Sequence, residues 1–166
     1  ETLYGDGRIE EELCSYKFKI SPSAFYQINP VQTEVLYNKA LEFADIKKTD
    51  TVLDAYCGTG TIGIIAAKNA KQVIGVELNA DAVADARENA KLNGIKNIKF
   101  VKADAGKFML EEAKNGCKAD VVIMDPPRTG SDRAFLSSLV TLSPDRVVYI
   151  SCNPETQQRD LLFLVK

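Results

Sequence analysis

The 166-residue sequence has no histidine and no tryptophan. Without imidazole, nucleophilic catalysis of the Ser-His-Asp and Cys-His kinds is excluded within this chain. Cysteine is sparse: Cys14, Cys57, Cys117 and Cys152 are widely separated, with no CxxC pair. Neighbouring thiolates for a zinc or iron–sulfur centre are therefore lacking, and no metal site is expected. Strong charge is missing too, since the net formal charge is only -2. A free-standing nucleic-acid binder would carry a basic footprint, so any such contact must be local or supplied from outside this chain. No apolar run approaches the roughly 20 residues that span a bilayer, which removes membrane partners. The opening residues 1–6 have neither the basic start nor the apolar core of a signal peptide. The expectation is a cytoplasmic protein with reduced thiols.

What the chain does have is alternation. Residues 13–20 put Cys14, Tyr16, Phe18 and Ile20 on one side and Ser15, Lys17 and Lys19 on the other, the period of a half-buried strand. After Asn29 and Pro30, the segment 31–44 spaces Val35, Leu36, Leu41 and Ala44 as a helix does. Strand-like runs then follow at 51–55, 72–77, 98–102, 121–125 and 146–151, separated by helical stretches near 61–69, 80–93, 107–114 and 133–142. Apolar strands alternating with amphipathic helices predict a parallel sheet covered on both faces, a doubly wound Rossmann-like α/β fold. Residues 1–30 read as an amino-terminal extension with a strand packed on the main domain, and residues 31–166 as that domain. The segment 154–166 reads as a helix with Leu161, Leu162, Leu164 and Val165 apolar and no strand after it. That predicts a domain incomplete at its carboxyl end.

In open α/β sheets the ligand sits beyond the carboxyl ends of the strands. The run at 51–55 leads into Tyr56, Cys57, Gly58, Thr59, Gly60 and then Gly63, a GxGxxG spacing that brings backbone close to a ligand or simply makes a tight turn. Asp54 before the glycines disfavours a pyrophosphate and suits the DxxxGxG loop of S-adenosylmethionine-dependent methyltransferases. Glu77 ends the next run, where a carboxylate accepts ribose hydroxyls; it suits a dinucleotide equally. Asp104, after the third run, is a candidate for the adenine amine or an ordinary turn aspartate. Asp125-Pro126-Pro127-Arg128 leaves the fourth run as a stiff, extended exit. Cys152 follows the fifth run, at the ligand edge and near a helix amino end that favours a thiolate. Cys57 faces cofactor or core, and Cys14 and Cys117 read as structural.

Taken together, Ser21 to Pro30 (with Phe25-Tyr26-Gln27-Ile28-Asn29 at its centre), Asp54 to Gly60, Val76-Glu77, Asp125 to Arg128 and Ser151-Cys152-Asn153-Pro154 resemble the RNA 5-methyluridine methyltransferases. The resemblance covers nearly the whole chain. It implies methyl transfer from S-adenosylmethionine to carbon 5 of a uridine in RNA, with S-adenosylhomocysteine as product and ribosomal RNA ranked ahead of transfer RNA. It implies Cys152 as nucleophile and Asp125 beside the target base. The cofactor would be lined by Gln27, Tyr56, Gly58, Gly60, Glu77, Asp104 and Asp125. The family's proton-abstracting glutamate and its RNA-binding and iron–sulfur segments have no counterpart here, so an iron–sulfur cluster belongs only to a longer parent. The chain alone is expected to bind cofactor and turn over poorly. No obligate protein partner is inferred. Competing readings are an exocyclic-amine methylase of adenine or guanine, a catalytically silent cofactor-binding module, and a dehydrogenase.

Overall fold

The computed structural model describes residues 7–165; the six opening residues, and with them the reading of a missing leader, lie outside it, as does Lys166. Two strands, β1 (Ile9–Leu13) and β2 (Tyr16–Ile20), precede helix α1 (Pro30–Ala44). Then come β3 (Thr51–Ala55), α2 (Thr61–Ala67), β4 (Gln72–Glu77), α3 (Ala80–Leu92), β5 (Ile98–Lys102) and α4 (Ala105–Lys114). The chain continues through β6 (Val121–Met124), α5 (Arg133–Leu142), β7 (Arg146–Tyr149) and α6 (Pro154–Leu164). The five later strands form one parallel sheet in the order β5-β4-β3-β6-β7. Chain order reverses beside β3, which makes the carboxyl ends of β3 and β6 the walls of the switch-point crevice.

The sheet is buried on both faces. Val52 and Val73 point into a cluster with Ile64, Ala86 and Phe100, while Leu53 and Ile74 point into another with Met109, Leu136 and Leu139. Most helices start on an Asx side chain. Asn29, Asn79, Asp104, Asp132 and Asn153 each accept a hydrogen bond from a first-turn N–H, the preference expected at an N-cap. Among the described helices α2 alone starts on a glycine, Gly60, with no side-chain cap of its own.

Three sequence expectations need correction. The run at 13–20 is not one strand: Cys14 and Ser15 form the two-residue turn of an antiparallel hairpin, with φ of 52° and 67°. Both values are left-handed, as a turn matching the strands' twist requires. The strand before the turn, Ile-Glu-Glu-Glu-Leu, shows no apolar alternation because only Leu13 is buried. Helix α1 is also turned in part from the expected face. It buries Thr33, Tyr37, Ala40 and the expected Ala44 and packs Leu41 against the core, leaving Val35 and Leu36 exposed. Finally, β6 and β7 stop at Met124 and Tyr149, short of the expected 125 and 151. Two prolines follow Asp125, and proline cannot donate to the ladder.

The hairpin is held by α3 through an unusual register. Asn93, Asn89 and Asp85 accept hydrogen bonds from the backbone N–H groups of Lys17, Lys19 and Ser21 at 2.9, 2.7 and 2.9 Å. The Asn93 and Asn89 amides donate in return to the Lys17 and Lys19 carbonyls. Four helical residues advance about 6 Å and two strand residues about 6.6 Å. Side chains spaced by four on α3 therefore match N–H groups spaced by two on β2. The outer edge of β2 is satisfied without another strand.

Candidate functional site

The site grows from the end of β3. Asp54 is the next-to-last residue of β3, 2% exposed, and its Oδ2 accepts the N–H of Gly63 at 2.9 Å. Gly63 occupies the third position of α2, so Asp54 provides from outside the cap that Gly60 lacks. A Cβ on residue 63 would sit 2.8 Å from that carboxylate, which is why the helix reaches the strand only with glycine there. Gly60 has φ +80°, and a Cβ on it would meet the Phe100 ring at 2.6 Å. Gly58 differs: its φ is +52°, yet nothing lies within 4 Å of its missing Cβ. One glycine serves the core, the other leaves space open.

That open side is a cleft lined by Gln27, Tyr56, Gly58 and Asp125 together with Asp54 and Tyr37. Glu77, at the end of β4, is stapled to the same loop. Its Oε2 accepts Gly58 N–H at 3.1 Å, and its Oε1 accepts Leu78 and Asn79 N–H, both at 2.8 Å. With a single donor on it, Oε2 retains acceptor capacity, whereas Oε1 already accepts two N–H groups. Burial pushes Asp54 up to about 7, with the Asp125 and Glu77 charges adding to it against the Gly63 hydrogen bond. Burial likewise pushes Asp125 up to about 6. Tyr37 OH lies 3.3 Å from Thr61 Oγ1 and is pushed up to about 12, first by burial. The cleft thus concentrates the carboxylates Asp54 and Asp125 in its walls, an arrangement that suits a cationic ligand. Gln27 arrives from the loop before α1. Tyr56 arrives with a strained φ of 62°, its ring against Phe135 at 4.9 Å.

Other expected site residues fall elsewhere. Gly60 is turned inward, as described. Asp104 is exposed and caps α4 through Lys107 N–H at 2.9 Å. Cys152 does not line this cleft; it is exposed, on the adjacent loop between β7 and α6. The register brings that loop beside Asp125, with Ile150 N–H donating to the Met124 carbonyl at 2.9 Å. Ser151 Oγ accepts Asn153 N–H and donates to the Asn153 carbonyl, at 3.1 and 3.0 Å, which bends the chain around Cys152. Cys57 is buried and its thiol is pushed well up by burial, so it stays protonated. Cys117, read as structural, is exposed. Sequence reasoning missed Tyr37 and Thr61. The only signal for Tyr37 was the face of α1, which apolarity alone assigned to Val35, Leu36, Leu41 and Ala44.

A sequence profile described as tRNA (uracil-5-)-methyltransferase matches residues 6–166. An uncharacterized RNA methyltransferase of Halalkalibacterium halodurans is 49% identical over 164 residues, and one of Staphylococcus aureus strain MRSA252 is 51% identical over 165 residues. These alignments take in 99% of this chain but 36% of each relative, so the chain spans about a third of their length. Among solved structures, the Pyrococcus abyssi tRNA (uracil-54, C5)-methyltransferase in complex with S-adenosyl-L-homocysteine is similar, with TM-score 0.80 and 32% identity. That match covers 97% of this chain and 38% of the other. A SAM-dependent methyltransferase of Agrobacterium tumefaciens shares the fold at TM-score 0.77 and 21% identity, over 98% and 59% of the two chains. With a doubly wound sheet, a glycine loop at its switch point and a sequence match from end to end, the chain belongs to the tRNA (uracil-5-)-methyltransferase family.

Proposed function

We propose that this chain forms the S-adenosylmethionine-binding part of an enzyme that methylates carbon 5 of a uridine in RNA through a covalent adduct on Cys152. The observation that carries the reading is the juxtaposition of two strand-end loops. An exposed cysteine follows β7, and the carboxylate-rich cleft opens at the ends of β3 and β6 next to it. The cleft fits the cofactor. Gly58 leaves room for close approach, Asp54 and Asp125 favour a cationic sulfonium, and the stapled Glu77 carboxylate suits ribose hydroxyls. Gln27 and Tyr56 complete its walls. Asp104, at the amino end of α4, is proposed as the adenine contact. When bound, S-adenosylmethionine supplies the electrophilic methyl group.

Carbon 5 of uracil is a weak nucleophile. The Cys152 thiolate adds to carbon 6, and the displaced electron pair makes carbon 5 enolate-like and able to take up the methyl group. A base then removes the carbon 5 proton, and the returning electrons expel the thiolate. Asp125 faces the target ring and orients it. The uridine must leave its stack, at a cost of a few kcal/mol, which unpaired RNA loops reduce. The base is assigned to no residue of this chain. The 166 residues alone are expected to bind cofactor and to turn over poorly. Ribosomal RNA is the preferred substrate class, with transfer RNA next.

The test is made on the protein extended to the length of its relatives, incubated with S-adenosylmethionine and RNA containing 5-fluorouridine. Mass spectrometry should find the RNA attached at Cys152, and Cys152→Ala should abolish both attachment and methylation. Methyl transfer that survives Cys152→Ala would instead support methylation of an exocyclic amine, which needs no thiolate.

A further inference from the structure

Asp160 is the most buried carboxylate of the described residues that the chemistry above leaves unused: it is 0% exposed, midway along α6. Four donors surround it. Ser131 N–H and Tyr149 OH reach Oδ2, both at 2.8 Å, and the Arg159 Nε and terminal nitrogen reach Oδ1 at 2.8 and 2.7 Å. Burial opposes ionisation, yet the hydrogen bonds from Ser131, Tyr149 and Arg159 hold the carboxyl below its ordinary value. The same Arg159 nitrogen donates to the Thr129 and Ser131 carbonyls at 3.0 and 3.1 Å. One step nearer the start of α6, Asn153 and Thr156 donate to the Arg128 carbonyl at 3.3 and 3.2 Å.

One face of α6 therefore holds the backbone of residues 128–131, the continuation of the loop that begins at Asp125. That loop has no regular structure of its own and starts with two prolines that contribute no backbone donor. The network extends further, since Tyr56 OH is 3.5 Å from Ser131 Oγ. Tyr56 belongs to the glycine loop, Ser131 to the loop after β6, and α6 begins directly after Cys152. The loops after β3 and β6 thus meet at Ser131, whose N–H binds the buried anion of the helix that follows Cys152. Gly130 shows how closely they are fitted: with φ +75°, a Cβ there would lie 2.6 Å from Arg159 and 2.7 Å from Asp160.

We propose that Asp160, with Arg159, is a positioning residue that sets the separation between Cys152 and the cleft at Asp125. It touches neither cofactor nor base. It acts by locking the helix that follows the nucleophile to the loop that follows the carboxylate. The inference rests on the covalent chemistry proposed above. A loose clamp would leave the thiol chemically intact and the cofactor site standing, while the two parts lost their register. Misplacement by about 1 Å is enough to cost about 10²-fold in rate.

The experiment compares Asp160→Asn and Arg159→Ala with the unsubstituted protein at full length. Three readouts are taken: S-adenosylhomocysteine affinity by calorimetry, alkylation of Cys152 by iodoacetamide, and the rate of attachment to 5-fluorouridine RNA in the presence of S-adenosylmethionine. The expected result is affinity and alkylation within about threefold of the unsubstituted protein and attachment slowed tenfold or more in both variants. Arg159→Ala, at a side chain that is 56% exposed, guards against an Asp160→Asn protein that fails to fold. Attachment at the unsubstituted rate in either folded variant overturns the positioning role alone. Equal losses in all three readouts overturn it in favour of a general stability role. No attachment by the unsubstituted protein refutes the covalent chemistry, and the positioning role falls with it.

Discussion

Replacing Asp54 with Asn probes the cleft through the stability of the chain. Asp54 is 2% exposed, and burial raises it from 3.8 to about 7. The folded state therefore holds this proton more tightly than the unfolded state does. The sign follows from linkage: the contribution is fully present below pH about 4, declines as pH rises toward about 7, and is gone above it. A difference of about 3 units at 1.36 kcal/mol per unit is about 4 kcal/mol lost between pH 4 and 8. Asn has nearly the same shape, keeps a carbonyl to accept the Gly63 N–H, and does not titrate. The variant should consequently be more stable than its parent at pH 8, by up to about 4 kcal/mol, with the gain shrinking toward pH 5. Urea unfolding followed by circular dichroism at the two pH values reads the difference directly, because titrations shared by both proteins cancel. A parent as stable as the variant at pH 8, or a gap that widens on acidification, would refute the reasoning. A cationic ligand favours the ionised carboxylate. The same substitution should therefore weaken S-adenosylmethionine binding, a trade of function for stability familiar at binding sites.

Two glycines of one loop should respond differently to alanine. Gly60→Ala meets both a left-handed φ and the Phe100 ring, so thermal unfolding should show a loss of about 2–5 kcal/mol. Gly58→Ala meets the backbone cost alone, about 1–2 kcal/mol, but fills the open side of the cleft and should lower S-adenosylhomocysteine affinity; equal stability losses would sink the distinction. In the hairpin, Asn89→Ala removes the partner of both backbone groups of Lys19. It should cost about 2–3 kcal/mol and speed amide exchange across residues 16–21, and unchanged protection there would show that the α3 ladder does not hold β2.

The fold was legible because its code is local. Apolar runs of strand length, alternating with stretches of helical spacing, marked the parallel strands and most helix starts to within a few residues. Asp-Pro-Pro announced where β6 ends, once proline's missing donor is taken into account. The site was legible to the extent that it follows from topology, since a doubly wound sheet delivers Gly58, Glu77 and Asp125 to one edge whatever their surroundings. Strand β1 was hidden because three of its five residues are glutamates, and its pairing depends on the Cys14–Ser15 turn rather than on an apolar face. Tyr37 was hidden because a helix with apolar residues on several sides does not declare which side is covered.

Sequence alone, then, determined the order of elements from α1 onward, the parallel sheet and the set of groups able to do chemistry, because periodicity acts within a few residues of where it is written. Only tertiary structure decided how those groups are used. It made Asp54 an external helix cap, made Gly60 a core contact while Gly58 stayed open, and kept Cys57 buried while Cys152 reached solvent. It also tied the loop after β6 and the end of β7 to Asp160, a residue with no distinguishing neighbours in the sequence. These outcomes depend on burial and on hydrogen bonds between segments distant along the chain, which exist only once the sheet has brought them together.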